Sequence, residues 1–511
     1  MFILQLLKKF ESPPPFSWGL FILKYHNIVK TPTQPIKKGA FLEQVMIEEM
    51  AFGGEGVAKM PTEQGDYVLF VKNSLPGQVV TAKVIKKKKR FAKCKLVKVT
   101  QKAIEEIEVP YQPIPGAPFA RLPIAQQEQY KEQSTLEMFK RLSGMEQIRE
   151  YYQGYISSPA VWHYRNKMEY SFSTLVSELH TGEESEGFAL GFKRRGQWWA
   201  VEQLNGDSGL FDKELETALP KIRAFCEQSG LPAWNPAKSQ GFFRFLVVRK
   251  SYEHDQLLFN LVTTSKQLEE FDKEGFVQLL KDILGDRLAG VIQTSNDEVG
   301  DTAKQPAEKS TLWYGQSKIV EKILGLDFEI SMQSFFQTNP QCAEKLYAKV
   351  IDYVRLSLED AQEQAVAMDL FCGTGTIAQL LANDPHINKV IGVDIVPQAI
   401  EDAQQNAARN GIEGIDFYAA DVRKFLYDYP QYKGKIGTIV LDPPRGGIVP
   451  KALTRIIELD APSIVYVSCN PATQARDTQT LVEAGYKLRH FSLVDQFPHT
   501  AHIESVALFE K

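Results

Sequence analysis

From Ala365 to the C-terminus the chain repeats one rhythm: an apolar run, a turn, an amphipathic stretch. The runs AVAMDLF, KVIGVDI, IDFYAAD, IGTIVLD and SIVYVSC are spaced widely enough for a helix between each pair, and LRHFSLVD and HIESVALFE follow close together. Apolar, β-branched runs at that spacing predict βαβ units and a parallel sheet covered on both faces, here an α/β Rossmann-like sheet of seven strands. Upstream the period shortens. Between Lys37 and Thr100, QVMIEEMAF, GVAKM, DYVLFV, QVVTAKVIK and FAKCKLVKV alternate apolar and polar residues and are cut by Gly-Gly, Gln-Gly-Asp, Pro-Gly and a lysine run. That pattern predicts a small OB-like β-barrel. Pro110 to Pro123 reads as a proline-rich linker, and Gln126 to Tyr152 as a polar helix with Tyr130, Leu136, Phe139, Leu142 and Ile148 on one face. Ser157 to Ile330 reads as mixed α+β, with an exposed loop from Ser295 to Ser310. The expected division is a non-core extension (1–36), a barrel (37–100), a linker helix and central domain (101–330) and an α/β domain (331–511).

Composition narrows the class. Of 511 residues, 43% are hydrophobic and 24% charged, as in a globular protein with real cores. The 5 cysteines are scattered without CxxC spacing, which argues against a disulfide framework and a cysteine-built metal site and fits a reducing, cytoplasmic compartment. The N-terminal MFILQLLKKFESPPPFSWGLFILKYHNIVK has apolar runs too short to span a membrane and no clean cleavage site, and no membrane segment is expected elsewhere. The net charge of −4 hides a local excess: Val79 to Thr100 holds 9 Lys or Arg and no acid. Lys86, Lys87, Lys88, Lys89 and Arg90 at its centre, beside Phe91, suit phosphates and a stacked base. In the central region Tyr164, Arg165, Lys167, Arg194, Arg195, Trp198 and Arg244 interleave cations with aromatics, and Arg165 and Lys167 are carried forward as RNA contacts.

DLFCGTGTIAQLLA is a strand, a glycine turn and a helix. Gly373 and Gly375 admit a close ligand, and the helix start offers free N–H groups. Asp394 ends the next strand, placed to accept from ribose hydroxyls, and Asp421 follows the third, where an adenine amine could be held. A nicotinamide enzyme has the same parts. Asp369 before the turn, the pattern PQAIEDAQQNAARNGI and the DPPR after the fourth strand favour S-adenosylmethionine instead.

IVLDPPRGG ends a strand on Asp442 and breaks it with two prolines that fix φ and remove N–H donors. The residue after Pro-Pro is Arg445 rather than an aromatic, which argues against methylation of exocyclic amines. IVYVSCNPATQARD ends the fifth strand on Cys469. A lone cysteine is commonly a small buried hydrophobe, but this one stands at the carboxyl edge of the sheet, where open α/β folds place ligands. A thiolate there can add to carbon 6 of a pyrimidine and make carbon 5 nucleophilic; a base must then remove the carbon-5 proton. Glu504, near the start of the last strand, is the candidate base.

The phrases SFFQTNP, DLFCGTGTIA, VIGVDI, VLDPPRGG, IVYVSCNPATQARD and HIESVALFEK resemble the catalytic domain of the RNA uracil-C5 methyltransferases. GGEGVAKM with GDYVLFVKNSLPGQVVTAKVIKKKKRFAKCKL resembles the TRAM domain, an RNA-binding module. The resemblance implies a donor site among Gln337, Phe371, Asp394 and Asp442, with Gly373, Thr376 and Asp421 at further cofactor positions, Cys469 as nucleophile and Glu504 as base. It implies a monomeric enzyme acting on RNA. The TRAM domain favours 23S ribosomal RNA over tRNA. Many members hold a [4Fe-4S] cluster on cysteines just after the TRAM domain; that region here has none, so neither cluster nor other metal is expected. The rivals are an RNA cytosine-C5 methyltransferase, which would want a second cysteine in the DPPR loop, an RNA assembly factor without turnover, and a nicotinamide oxidoreductase.

Overall fold

A computed structural model describes residues 36–62, 65–178, 183–194, 197–359 and 365–511. The expected extension, apart from its last residue, and Arg195 lie outside the described residues. Two compact units divide at Glu106.

The first unit is a six-stranded sheet. Phe41–Met46 pairs with Val79–Lys87, while Glu49–Met50, a few residues on, pairs with Gly56–Thr62 at the other end of the strand order. One short stretch of chain therefore joins both edges and rolls the sheet into a barrel. Leu69, Val71, Val80, Ala82, Ala92 and Cys94, at alternate positions, fill its interior. The hairpin between Val79–Lys87 and Phe91–Gln101 carries the cationic run. Lys86 to Arg90 are all exposed. Tyr67 braces the tip, its hydroxyl donating to the carbonyls of Lys88 and Phe91, both at 2.8 Å.

The second unit, from Ile107, contains two large sheets. The central sheet has seven strands. One face packs the helices Lys213–Gln228 and Lys273–Leu284 over Tyr170, Phe172, Leu246 and Phe259. The other contributes Phe245, Val247 and Leu258 to a core shared with the catalytic sheet.

The catalytic sheet has eight strands: β1 (Tyr152–Ile156), β2 (Ala365–Leu370), β3 (Ile387–Asp394), β4 (Ile415–Ala419), β5 (Thr438–Leu441), β6 (Ser463–Ser468), β7 (Lys487–Val494) and β8 (Glu504–Glu510). Their order is β4-β3-β2-β5-β6-β8-β7-β1. β2 to β6 run parallel, and β8 inserts antiparallel between β6 and β7. All seven expected strands form. β1 is an addition: the sequence reading ended a helix on its first residue, Tyr152, and gave the rest no element. The helix α1 (Ile124–Ser143) stops earlier, because Gly144 adopts the left-handed conformation (φ +73°) and caps it. The chain is then free to pair with β7 in parallel.

The central cations divide in a way the sequence did not separate. Arg244 is buried. Its guanidinium lies over the Trp234 ring and donates to the carbonyls of Asn296, Glu298 and Gly300, so it holds the Ser295–Ser310 loop rather than facing solvent. Tyr164 is also buried, its hydroxyl donating to the Pro498 carbonyl. Both are corrections to the reading of an Arg-aromatic RNA surface; Trp198 remains exposed.

One buried ion pair ties α1 to the loop between β7 and β8. Lys131 Nζ meets Asp495 Oδ1 at 2.6 Å, and the Tyr155 hydroxyl takes the other oxygen at 2.9 Å. Removing one partner of such a pair strands the other, at a cost of about 3–5 kcal/mol. Asp495→Ala should therefore lower stability by that order in urea denaturation, and the double change Lys131→Met with Asp495→Leu should recover most of it.

Candidate active site

The five parallel strands end along one edge, and the loops leaving them supply the site. After β2 the chain turns through Phe371, a non-glycine residue with φ of +69°. Such a conformation is costly and persists only where surroundings enforce it. Here the amides of Phe371 and Cys372 both donate to the Val393 carbonyl. Gly375 (φ +76°) precedes the helix α2 (Thr376–Ala382); a Cβ there would meet Ala403 and the Phe417 ring at 2.9 Å. Asp394, ending β3, accepts from the amides of Gly373 (3.0 Å) and Val396 (2.8 Å), which locks the two turns together. Thr376 is buried in the first turn of α2. Asp421 has a local task the sequence did not foresee: it N-caps the helix α3 (Val422–Asp428), accepting from the Lys424 amide at 3.1 Å.

β5 ends beside β2, Leu441 opposite Leu370, so Asp442 follows next to Phe371. The loop after it is seated on the segment that follows β6. Asn470 Nδ2 donates to the Arg445 carbonyl (3.1 Å), Arg476 to the Ile448 carbonyl (3.2 Å), and Asp477 accepts from the Ile448 amide and the Tyr466 hydroxyl. Gly447 (φ +72°) is pressed so closely on Thr473 and Arg476 that a Cβ would lie 2.7 Å from both. The DPPRGG and CNPATQARD phrases thus form one interlocked wall.

Cys469 follows β6 directly. Of the five cysteines, the other four are buried and this one is partly exposed. β6 and β8 pair Ser468 with Ser505, and the same register continued by one step sets Cys469 opposite Glu504. Facing residues of an antiparallel pair share a side of the sheet, roughly 4.5–5.5 Å apart at Cβ. Glu504 is buried, and burial, then Asp442, pushes its carboxyl up to about 8, with Arg445 acting the other way. The Cys469 thiol is pushed up to about 11 by burial, then by Glu504 and Asp442, and is again drawn down by Arg445. Burial lifts Asp442 to about 6. Asp369 is fully buried, its carboxylate oxygens make no close hydrogen bond, and burial with Asp442 and Asp394 holds it well above the usual range.

Gln337 lies in the loop before the helix Pro340–Leu358. Asn166 Nδ2 donates to its carbonyl (3.0 Å), and Gln496 Nε2 reaches its side-chain oxygen (3.4 Å). Arg165 and Lys167 flank Asn166 and so border this loop. Arg165 Nε donates to the Lys167 carbonyl, and burial followed by Arg249 pushes the Lys167 ammonium down to about 8. Gln337, Phe371, Gly373, Thr376, Asp394, Asp421, Asp442, Cys469 and Glu504 are therefore gathered at one edge. Lys86 to Arg90 belong to the other unit. Sequence reasoning missed Asn166 and Asn470, which act through contacts distant in sequence. It also missed Phe335, 71% exposed two residues before Gln337, whose neighbours in SFFQTNP gave no hint of exposure.

Asp369, Asp394, Asp421, Asp442 and Glu504 put five acids at one edge, and Asp442 adds to burial in raising both Asp369 and Glu504, which makes a site for a cation. S-adenosylmethionine, with its sulfonium and ammonium groups, fits that donor set. Among the described residues no group of three His, Cys, Asp or Glu is placed to hold a metal ion, and no helix is long and apolar enough to cross a membrane.

Comparison with known proteins agrees with this geometry. Residues 316–511 match the family model described as tRNA (uracil-5-)-methyltransferase, and residues 43–97 match the TRAM domain. An uncharacterized RNA methyltransferase of Clostridium tetani is 34% identical over 480 residues, covering 92% of this chain and 98% of its own. Another, from Caldanaerobacter subterraneus subsp. tengcongensis, is 36% identical over 473 residues, covering 91% and 98%. The fold is similar to that of the Pyrococcus abyssi tRNA (uracil-54, C5)-methyltransferase, solved with S-adenosyl-L-homocysteine, at TM-score 0.66 and 24% identity over 92% of this chain and 100% of that one.

The raised acids carry a stability signature. The folded pKa of Glu504, about 8, lies above its ordinary 4.5, so proton binding favours the folded state. Its contribution is full below about pH 4.5 and is lost as pH rises to 8. Glu504→Gln should raise the melting temperature at pH 8, with the gain shrinking towards pH 5 in thermal scans of the two proteins.

With its strand ends, interlocked loops and these relatives, the chain belongs to the S-adenosylmethionine-dependent RNA (uracil-5-)-methyltransferase family.

Proposed function

We propose that this enzyme methylates carbon 5 of a specific uridine, with 23S ribosomal RNA as the favoured substrate, through a covalent adduct on Cys469. The observation that carries the reading is the β6–β8 register, which ends on Ser468 opposite Ser505 and, carried one step further, sets the partly exposed thiol opposite a buried carboxylate at the edge that holds Asp442. S-adenosylmethionine, bound by Gln337, Phe371, Gly373, Thr376, Asp394, Asp421 and Asp442, supplies an electrophilic methyl group.

Burial keeps Glu504 and Cys469 protonated at rest, and Arg445 is the cation that draws both down. The Cys469 thiol first loses its proton to solvent; the thiolate then forms a bond to carbon 6 of the flipped-out uracil, and the C5–C6 π pair moves into the enolate. The enolate pair forms the new bond from carbon 5 to the methyl group as the sulfonium's bond to that methyl breaks, leaving S-adenosyl-L-homocysteine. Glu504, as carboxylate, accepts the carbon-5 proton; the C–H pair re-forms C5=C6 and expels the thiolate. A base with a raised pKa is strong once ionised but is ionised late. The Pro443-Pro444 loop, braced from Asn470 and Arg476, keeps Asp442 and Arg445 in register with the thiol.

The cationic barrel tip and the Arg165–Lys167 stretch are assigned to grip RNA by its phosphates, the barrel, the central domain (101–330) and the catalytic domain (331–511) each taking part. The barrel favours ribosomal RNA; the name of the matching family and the Pyrococcus abyssi relative favour tRNA as the second reading.

The test is methyl transfer from labelled S-adenosylmethionine into total RNA lacking 5-methyluridine, followed by nucleoside mapping. Label is expected in 5-methyluridine of 23S RNA. Label in tRNA changes the substrate, label in 5-methylcytidine changes the base, and tight RNA binding without label indicates an assembly factor. Cys469→Ala should abolish turnover, a loss of at least about a thousandfold on the scale of a missing nucleophile. Glu504→Gln should accumulate a covalent RNA–protein complex visible on denaturing gels. The wild-type rate should climb with pH through about 8, because Glu504 must shed its proton to act.

A further inference from the structure

We propose that a cationic groove on the flank of the catalytic domain is a docking track for a single-stranded segment of the substrate RNA. The proposal rests on the reading of the protein as an RNA methyltransferase and adds a contact surface to it. The groove lies between α3 and the helix Pro450–Glu458 and encloses about 430 Å³. Arg423, Lys424 and Tyr427 line it from α3; Lys451, Thr454, Arg455 and Glu458 line it from the other helix.

Four cations and one acid face this space, in a chain whose net charge is −4. Arg455 is paired with Glu458 at 2.6 Å, and Arg423 stands 3.7 Å from Asp421. Lys424 and Lys451 have no ion-pair partner among the described residues and are exposed. Like charges brought together across two helices repel, and an anion in the groove relieves that repulsion. Tyr427 adds a flat face between them: its side chain is 70% exposed, and the Arg455 guanidinium lies 5.9 Å from its ring centre. An open aromatic among cations is the arrangement that holds single-stranded nucleic acid, phosphates on the cations and a base on the ring.

The position ties the groove to the reaction. α3 begins at Asp421, and the second helix begins where the DPPRGG loop ends. Both helices therefore start at the edge that carries Asp442 and Cys469. RNA lying along the groove runs up to the loops that receive the target base. A protein partner would need apolar contact in the groove centre, and the lining offers one tyrosine and a threonine among charges.

The test uses the full chain carrying Lys424→Gln and Lys451→Gln together, with Tyr427→Ala and Tyr427→Phe made separately. Binding of a fluorescein-labelled single-stranded oligouridylate is measured across a salt series. Each lost phosphate contact should lower the slope of log affinity against log salt by about 0.7 for single strands, so the double variant should lose about 1.4. Tyr427→Ala should weaken binding severalfold and Tyr427→Phe should not. With total RNA lacking 5-methyluridine, the double variant should raise KM and leave kcat and S-adenosylmethionine affinity unchanged. An unchanged salt slope and KM overturn the groove, whatever the wild type methylates. A wild type that binds oligouridylate through the groove but forms no methylated uridine overturns the catalytic reading and leaves the groove standing.

Discussion

The pairing of β6 with β8 is the constraint on which the site depends. A strand register has a side-chain period of two, so a slip of one residue would turn Glu504 to the opposite face and bring Ser505 round in its place. The slip is blocked from within the pair. The Ser505 hydroxyl donates to Gln474 Oε1 at 2.7 Å, and Gln474 Nε2 donates to the Tyr466 carbonyl at 2.7 Å. Gln474 belongs to the helix that follows Cys469, so the segment carrying the thiol also fixes where Glu504 stands. Chain order would never bring these two groups together; 34 residues of helix, strand and loop intervene between Cys469 and Glu504, and the antiparallel return removes that separation.

The electrostatics follow from the same crowding. Asp369, Asp442 and Glu504 are raised together, and Tyr347, buried among them, is raised by all three after burial itself. A fold that only needed stability would not bury Asp369 with no close hydrogen bond on either carboxylate oxygen beside other raised acids. The arrangement is intelligible when the missing partner is a cationic ligand, and when Arg445, the one cation acting on both Cys469 and Glu504, is held by a wall whose hydrogen bonds come from Asn470 and Arg476. The CNPATQARD phrase is then legible residue by residue: it sets the partly exposed thiol at the strand end, and the residues after it hold the loop opposite.

Much of this was legible in the sequence because the relevant signals are local. Seven β-branched runs formed seven strands, and Asp394, Asp442 and Cys469 were placed by ending them. Other features were not local. YQGYI, with a glycine at its centre in a left-handed conformation (φ +119°), carries no strand signal of its own and becomes β1 only because β7 offers an unpaired edge. Arg244 and Tyr164 were misread because arginines interleaved with aromatics look alike whether they face RNA or cap buried carbonyls. Gln337 could be found only by resemblance, since its position depends on Asn166 and Gln496, each more than 150 residues away.

These distant contacts bear on how recognition is joined to chemistry. β1 extends the catalytic sheet from a segment that precedes the strands of the central sheet, and Asn166, between Arg165 and Lys167, bonds the backbone of Gln337 and Thr338. Buried Arg249, on the central sheet, donates to the carbonyls of Met332 and Ser334 in the same loop. The loop that presents Gln337 is thus held from the central domain on one side and from the β7–β8 connection on the other. A shift of Arg165 or Lys167 would act on a backbone already bonded to the loop that presents Gln337. The two domains share one apolar core, so such a displacement meets a stiff joint rather than a hinge. The candidate site is therefore framed by two sheets packed on one core rather than by two separately moving bodies.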